Sequence, residues 1–198
     1  MYDLQYGFKP VHGVYSEPEQ WAWWDGAFSD RELDTLQLIA KNASSPGGVG
    51  GSDVVNIPEA RRSDISWLEF NADYEWVYLK LELVVRKLNQ QCFNFKLDGF
   101  GEKFQMSNYT DLNEGHYDWH VDMGKGPCRK LSVVLQLTDP SEYTGGDLQL
   151  RFAKPVQNIE KKRGLITIFP SWTLHRVMPV TGGSRQSLVS WVTGPDFN

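Results

Sequence analysis

The chain has 198 residues, 40% hydrophobic and 23% charged, which is enough for one well-buried core and short for two. Its 20 basic and 25 acidic residues leave a formal charge of −5, which argues against a non-specific nucleic-acid binder. No apolar stretch approaches the roughly 18 residues needed to span a bilayer. The two cysteines, Cys92 and Cys128, form neither a disulfide framework nor a Cys-x-x-Cys motif. The opening segment MYDLQYGFKP shows no basic-then-apolar secretory pattern, so a soluble protein of the reducing cytoplasm is expected.

The first half reads as helical or mixed. In FSDRELDTLQLIAKNA, Ser29 stands three residues before Glu32, the spacing of a capping box. Leu33, Leu36 and Ile39 or Ala40 then follow a helical period. A second helix is expected in YEWVYLKLELVVRKLNQQ, with Trp76, Leu79, Leu83 and Val84 or Leu88 on one face. Between the two lies SSPGGVGGSDVVNIPEARRSD, whose Gly, Ser and Pro content predicts a long loop. Residues 44–60 of it are read either as a lid over a site or as a plain insertion.

After Phe93 the texture changes to short β-branched and aromatic runs punctuated by turn residues. FNFKLDGF, EKFQMSNY, HYDWHVDM, KLSVVLQLTD, DLQLRF, GLITIFPS and RQSLVSWVTG are each expected as strands. Strands of this length and spacing predict an antiparallel sandwich or barrel, mostly β with flanking helices. The basic cluster EKKRG, Glu160 to Gly164, reads as a solvated turn. A single domain over 1–198 is expected, with helical support in 1–92 and the β core in 93–198.

The run HYDWHVD carries the chemistry. Residues two apart on a regular strand share a face, so His116, Asp118, His120 and Asp122 offer three overlapping candidate metal pairs. A redox-active iron is commonly held by two imidazoles and one carboxylate, leaving the opposite face open. Four histidines exist: His12, in an irregular segment, His116, His120 and His175, which follows the strand-like LITIFPSWTL. His175 is therefore the best third ligand. The turn signal MGKGP after Asp122 puts His120 and Asp122 at a strand end, where substrate enters, and favours that pair over His116 and Asp118 on position.

These residues, with GGDL, GLITIFP, LHRVMPV and SRQSLVSW, resemble the iron(II)- and 2-oxoglutarate-dependent oxygenases, nearest to the prolyl 4-hydroxylase-like, PKHD-type branch. The resemblance covers roughly 93–193, with a weaker echo in RRSDISWL. It implies a double-stranded β-helix (jelly-roll) core in which His120, Asp122 and His175 bind Fe(2+). It implies that Arg185, ten positions after His175, holds the far carboxylate of 2-oxoglutarate through its planar guanidinium. Tyr109 is expected on the same cosubstrate, although it precedes His120 by eleven residues where the family shows about nine. Ser187 is a further candidate contact, and Trp191 resembles a position that walls the cosubstrate pocket.

The implied activity is hydroxylation of a C–H bond coupled to decarboxylation of 2-oxoglutarate by O2, with L-ascorbate keeping iron ferrous. Retention of Asp122 favours hydroxylation over halogenation. The substrate is expected to be a prolyl or other peptidyl residue, which Tyr15, Trp21, Trp23 and Trp24 would meet by stacking, with a free amino acid or small metabolite as the alternative. Nucleic-acid demethylases of the superfamily carry a second Arg where Trp191 stands here. Two other readings stay open: a non-catalytic metal-binding barrel, and a zinc hydrolase on the same three ligands.

Overall fold

Alternating side chains along short strands divide this protein into a helix-covered layer and an enclosed interior. The computed structural model describes residues 19–49, 55–123, 126, 128–152 and 155–196. His12, Tyr15 and residues 50–54 of the Gly-rich loop lie outside the described residues.

The larger antiparallel sheet contains β1 (Ala22–Trp24), β2 (Ser45–Pro46), β4 (Asp64–Leu68), β5 (Gly99–Phe100), β6 (Phe104–Thr110), β8 (Arg129–Gln136), β9 (Tyr143–Gly145), β12 (Ile166–Pro170) and β14 (Val180–Thr193). Its main path runs β1-β12-β8-β14-β6-β4-β2, with β5 and β9 also paired to β14. The smaller sheet contains β3 (Arg61–Arg62), β7 (His116–His120), β10 (Leu148–Arg151), β11 (Gln157–Asn158) and β13 (Leu174–Val177), in the order β11-β10-β13-β7-β3. Tyr109, Val134 and Phe169 of the first sheet pack with Leu148, Leu150 and Val177 of the second, closing a jelly-roll interior.

The period of two decides which side chains enter that interior. On β14, Leu188 and Val192 join the core beneath the helices, whereas Arg185, Ser187, Val189 and Trp191 line the cavity. On β8, Leu131, Val133 and Leu135 take the helix side. Each fully buried leucine in this layer contributes about 1.5–3 kcal/mol by leaving water.

Helix α1 (Asp30–Lys41) starts as expected, with the Glu32 carboxylate accepting from the backbone N–H and hydroxyl of Ser29 at 2.8 Å each. It buries Leu33, Leu36, Gln37 and Ala40, while Ile39 is half-buried. In helix α2 (Glu75–Leu88) the buried stripe is Val77, Tyr78, Leu81, Val84, Val85 and Leu88. The expected face through Trp76, Leu79 and Leu83 is corrected: Leu79 and Leu83 are 56% and 58% exposed. Both stripes fit a helical period, and the sheet takes the wider one, which lets Tyr78 stack on Phe104 at 3.7 Å.

A second correction falls on FNFKLDGF, of which Gly99 and Phe100 alone are strand. The Asn89 side chain accepts from the N–H of Phe95 and donates to its carbonyl at 3.0 and 2.9 Å, closing a π turn over Asn89–Phe93. Such side-chain capture of backbone groups competes with strand pairing. Around the Gly-rich segment the chain is partly paired. Ser45–Pro46 lies beside Asp64–Ile65, and the N–H of Gly47 donates to Ser63 O at 2.7 Å.

Candidate active site

A bulge in β7 makes the site. His120 pairs opposite His175 and Tyr117 opposite Val177, so three steps of β7 run against two of β13. The extra residue inverts the alternation, and Tyr117 and His120 stack face to face at 3.5 Å. Asp118 turns outward and is exposed, and Trp119 packs beneath the Arg176 guanidinium at 4.4 Å. His116 is held by the carbonyls of Glu114 and Glu59 at 2.8 and 3.2 Å. The expectation that four even-numbered residues share one face therefore fails at the bulge, and His116 and Asp118 are separated from the centre.

His120, Asp122 and His175 meet instead, with one ligand atom from each within 4.8 Å of the others. Asp122 lies just beyond β7, its N–H donating to Ser171 O at 2.9 Å. Its Oδ1 stands 3.7 Å from His120 Nε2 and its Oδ2 3.5 Å from His175 Nε2. Each imidazole Nδ1 donates to a backbone carbonyl, of Asp118 at 2.7 Å and of Thr173 at 2.9 Å. That fixes the tautomer and turns both Nε2 lone pairs toward the carboxylate. The Ser132 hydroxyl donates to Asp122 Oδ2 at 2.6 Å.

Electrostatics keep His120 and Asp122 in their coordinating forms. Burial and the neighbouring His175 push His120 down to about 4, so its ring is neutral near pH 7. Burial alone would raise the Asp122 carboxyl. His175 and His120, with the hydroxyl donor of Ser132, outweigh it and hold the group below the ordinary carboxylate range. Two imidazoles presenting Nε2 and one ionised carboxylate on one side of an open space match the donor chemistry of a ferrous facial triad.

The open space is a cavity of about 600 Å³ lined by all three residues and by Arg185, Tyr109, Ser187 and Trp191. Arg185 is 2% exposed, lies opposite Tyr109 in the β14–β6 register, and places its guanidinium 5.6 Å from the Tyr109 ring centroid. Its Nη1 donates to Ser187 Oγ at 3.4 Å, and its buried Nη2 has no partner. A buried guanidinium with an orphaned N–H fits a carboxylate ligand, which would supply the missing acceptors. Gly146, at φ +64°, makes room for it: a Cβ there would stand 3.0 Å from Arg185 Cδ. Trp191 sits across from Ser132, at the Asp122 end of the cavity and six residues from Arg185. The Arg129 guanidinium lies 3.9 Å from its ring centroid and forms a bidentate pair with Glu102 at 2.6 and 2.7 Å.

Sequence reasoning missed Tyr117, Ser132 and Arg61, all beside this centre. Ser132 had a signal, a lone hydroxyl in the apolar strand KLSVVLQ. Tyr117 and Arg61 lie within the HYDWHVD and RRSDISWL motifs, but their place beside the centre depends on the bulge and on β3 pairing.

A jelly roll enclosing a two-histidine, one-carboxylate centre beside a buried arginine defines the class of this protein as a non-haem metal-dependent β-helix protein. The chain belongs to the 2OG-Fe(II) oxygenase superfamily, which matches residues 104–193, in its PKHD and prolyl-hydroxylase-like branch. A PKHD-type hydroxylase of Prochlorococcus marinus is 30% identical over 157 residues, covering 79% of this chain and 67% of the relative. A PKHD-type hydroxylase of Synechococcus sp. is 45% identical over 82 residues, 40% of this chain, and that match spans 37% of the relative's length. Among solved structures, a Trichoplax adhaerens prolyl hydroxylase in complex with a peptide fragment of the hypoxia inducible factor oxygen degradation domain superposes with a TM-score of 0.73. It has 16% identity and covers 88% of this chain and 83% of its own. Membership implies iron(II), 2-oxoglutarate and O2 as the family's reagents.

Proposed function

We propose that this protein is an iron(II)- and 2-oxoglutarate-dependent dioxygenase that hydroxylates a C–H bond, the target being a prolyl or other peptidyl residue. The observation that carries the reading is the convergence of His120, Asp122 and His175 in one cavity with the orphaned guanidinium of Arg185. His120, Asp122 and His175 hold the metal, their Nδ1–carbonyl bonds fixing both rings for coordination. When bound, iron would activate O2 as the oxidant, one oxygen atom going to 2-oxoglutarate as it is decarboxylated to succinate and CO2 and the other to the substrate C–H bond, with L-ascorbate keeping the iron ferrous.

The chain's own residues bind, orient and exclude water. Arg185 takes the distal carboxylate of 2-oxoglutarate, Ser187 adds a hydroxyl beside it, and Tyr109 supports the guanidinium with its ring face. Trp191 walls the Asp122 end, and Tyr117 packs over His120. The 44–60 segment is proposed as a lid, its described Gly48 carbonyl accepting from Arg61, and 1–198 as one catalytic domain. A peptide substrate is supported by the peptide in the Trichoplax complex. A cytoplasmic location is supported by two unpaired cysteines, and no described helix is long and apolar enough to cross a membrane.

The test is succinate formation by purified protein with Fe(II), 2-oxoglutarate, ascorbate and O2, with and without proline-rich peptide, and with His120→Ala as control. Iron-dependent succinate that vanishes in His120→Ala is expected, together with stimulation by peptide. Bound iron and 2-oxoglutarate without turnover across peptide and metabolite panels would point to a non-catalytic metal-binding module.

A further inference from the structure

The cavity contains a second buried arginine that the cosubstrate does not use. Arg61 is 6% exposed and lines the same space as His120 and Asp122. Its guanidinium is firmly held. Nε donates to Ser63 Oγ at 2.8 Å, Nη1 donates to Gly48 O at 3.1 Å, and the plane lies 4.6 Å from the Tyr117 ring centroid. Gly47 closes against it so tightly that a Cβ would stand 2.6 Å from Nε. Yet Nη2 is buried without a hydrogen-bond partner, and no carboxylate among the described residues neutralises the charge. A cation fixed in place with no carboxylate partner among the described residues is costly for folding, which suggests that its counterion arrives with a ligand.

Charge counting indicates what that ligand carries. The described charged residues lining the cavity are Arg61, Arg129 and Arg185 against Glu102 and Asp122, an excess of one positive charge. Ferrous iron and the 2-oxoglutarate dianion cancel each other, and Arg129 is already matched by Glu102. One cation therefore remains in the loaded site, and Arg61 is the one with an unused N–H. A neutral amide carbonyl would satisfy the N–H and leave the charge buried, whereas a carboxylate satisfies both.

We infer that Arg61 is a specificity residue that binds a carboxylate of the primary substrate, so that the enzyme prefers substrates carrying an acidic group near the hydroxylated carbon. This rests on the oxygenase reading above. The carboxylate belongs either to an acidic or C-terminal residue of a peptide or to a free amino acid, and the Arg61 chemistry is the same for both.

The test uses the full chain loaded with Mn(II) and N-oxalylglycine, an inert 2-oxoglutarate mimic, so that no turnover occurs. Calorimetry then compares isosteric pairs: L-proline against prolinamide, N-acetylproline against its amide, and N-acetyl-Asp-Pro-amide against N-acetyl-Asn-Pro-amide. The carboxylate member of at least one pair should bind roughly tenfold tighter, as a charge-assisted bidentate contact predicts. In Arg61→Gln that preference should collapse with N-oxalylglycine affinity unchanged, while Arg61→Lys should keep part of it. Preference confined to the proline pair identifies a free acid, and preference in an acetylated pair identifies a peptide. Equal binding within every pair by the wild type overturns the inference, as does a preference that survives in a folded Arg61→Gln. Failure of wild type to bind Mn(II) and N-oxalylglycine would instead remove the oxygenase reading, and this inference with it. If circular dichroism shows Arg61→Gln unfolded, the wild-type pairs and Arg61→Lys decide.

Discussion

Ser132→Ala isolates the contribution of a single hydroxyl to the proposed metal centre. Ser132 is fully buried on β8, and its Oγ donates to Asp122 Oδ2 at 2.6 Å while touching Ser171 Oγ at 3.1 Å. A hydrogen bond to an ionised acceptor is worth about 1.5–3 kcal/mol. At about 1.4 kcal/mol per tenfold, losing it weakens metal binding by roughly 10- to 150-fold, in line with the usual effect of removing a partner behind a metal ligand. The assay is anaerobic titration of metal-free protein with Co(II), read from its visible absorbance, at one fixed pH. Ser190→Ala is the control, because Ser190 Oγ is equally buried on β14 and has no hydrogen-bond partner. Unchanged affinity in Ser132→Ala, or an equal loss in Ser190→Ala, would refute the claim that this hydroxyl organises the carboxylate.

Three further outcomes test the fold. Leu81→Ala should cost about 2–5 kcal/mol in urea unfolding and Leu79→Ala less than about 0.5, and equal costs would reject the assigned buried stripe. For Glu32, burial would raise the carboxyl, but the Lys80 ammonium and the Ser29 donors hold it below its ordinary 4.5. A depressed folded value means stabilisation present above the unfolded pKa and lost as pH falls through the folded one. The stability gap between wild type and Glu32→Gln, about 1 kcal/mol after allowing for exposure, should thus be full at pH 7 and close below about 4.5. A gap constant down to pH 3 would contradict it. Gly47→Ala should lower stability by about 1–3 kcal/mol, since the new Cβ meets the Arg61 guanidinium, and an unchanged melting temperature would show that the contact yields.

How far the fold was legible depended on whether a local pattern had one solution. The start of α1 had one, because Ser29 and Glu32 satisfy each other before any tertiary contact forms. Helix α2 had two, since Trp76/Leu79/Leu83 and Val77/Leu81/Val84/Leu88 both obey the period, and contact with β6 through Tyr78 decided between them. The FNFKLDGF run looked like a strand until Asn89 captured the backbone of Phe95. The grouping of His120, Asp122 and His175, proposed as the metal site, was legible through histidine scarcity and through resemblance. The environment of β7 was not, because a bulge is a property of pairing with β13 and leaves no local mark.

Some of the polar residues that break the apolar strand pattern gather at the cavity and at the Asp122 carboxylate. Ser132 on β8 and Arg185 and Ser187 on β14 occupy inward positions where a purely structural jelly roll would place aliphatic side chains. The two buried arginines carry a desolvation cost that their protein contacts only partly return: Arg185 and Arg61 both end in an Nη2 without a partner. Such costs persist when the missing partner is a ligand, because the groups are then already desolvated and oriented when it arrives. The surrounding framework supplies the stability to hold them. The β14–β6 ladder fixes Arg185 opposite Tyr109, and the bulge in β7, with β3 beside it, brings Tyr117 between Arg61 and His120. One cavity thus presents two pre-set cationic contacts beside the proposed metal site of His120, Asp122 and His175, the arrangement that the proposed binding of two separate acidic molecules requires.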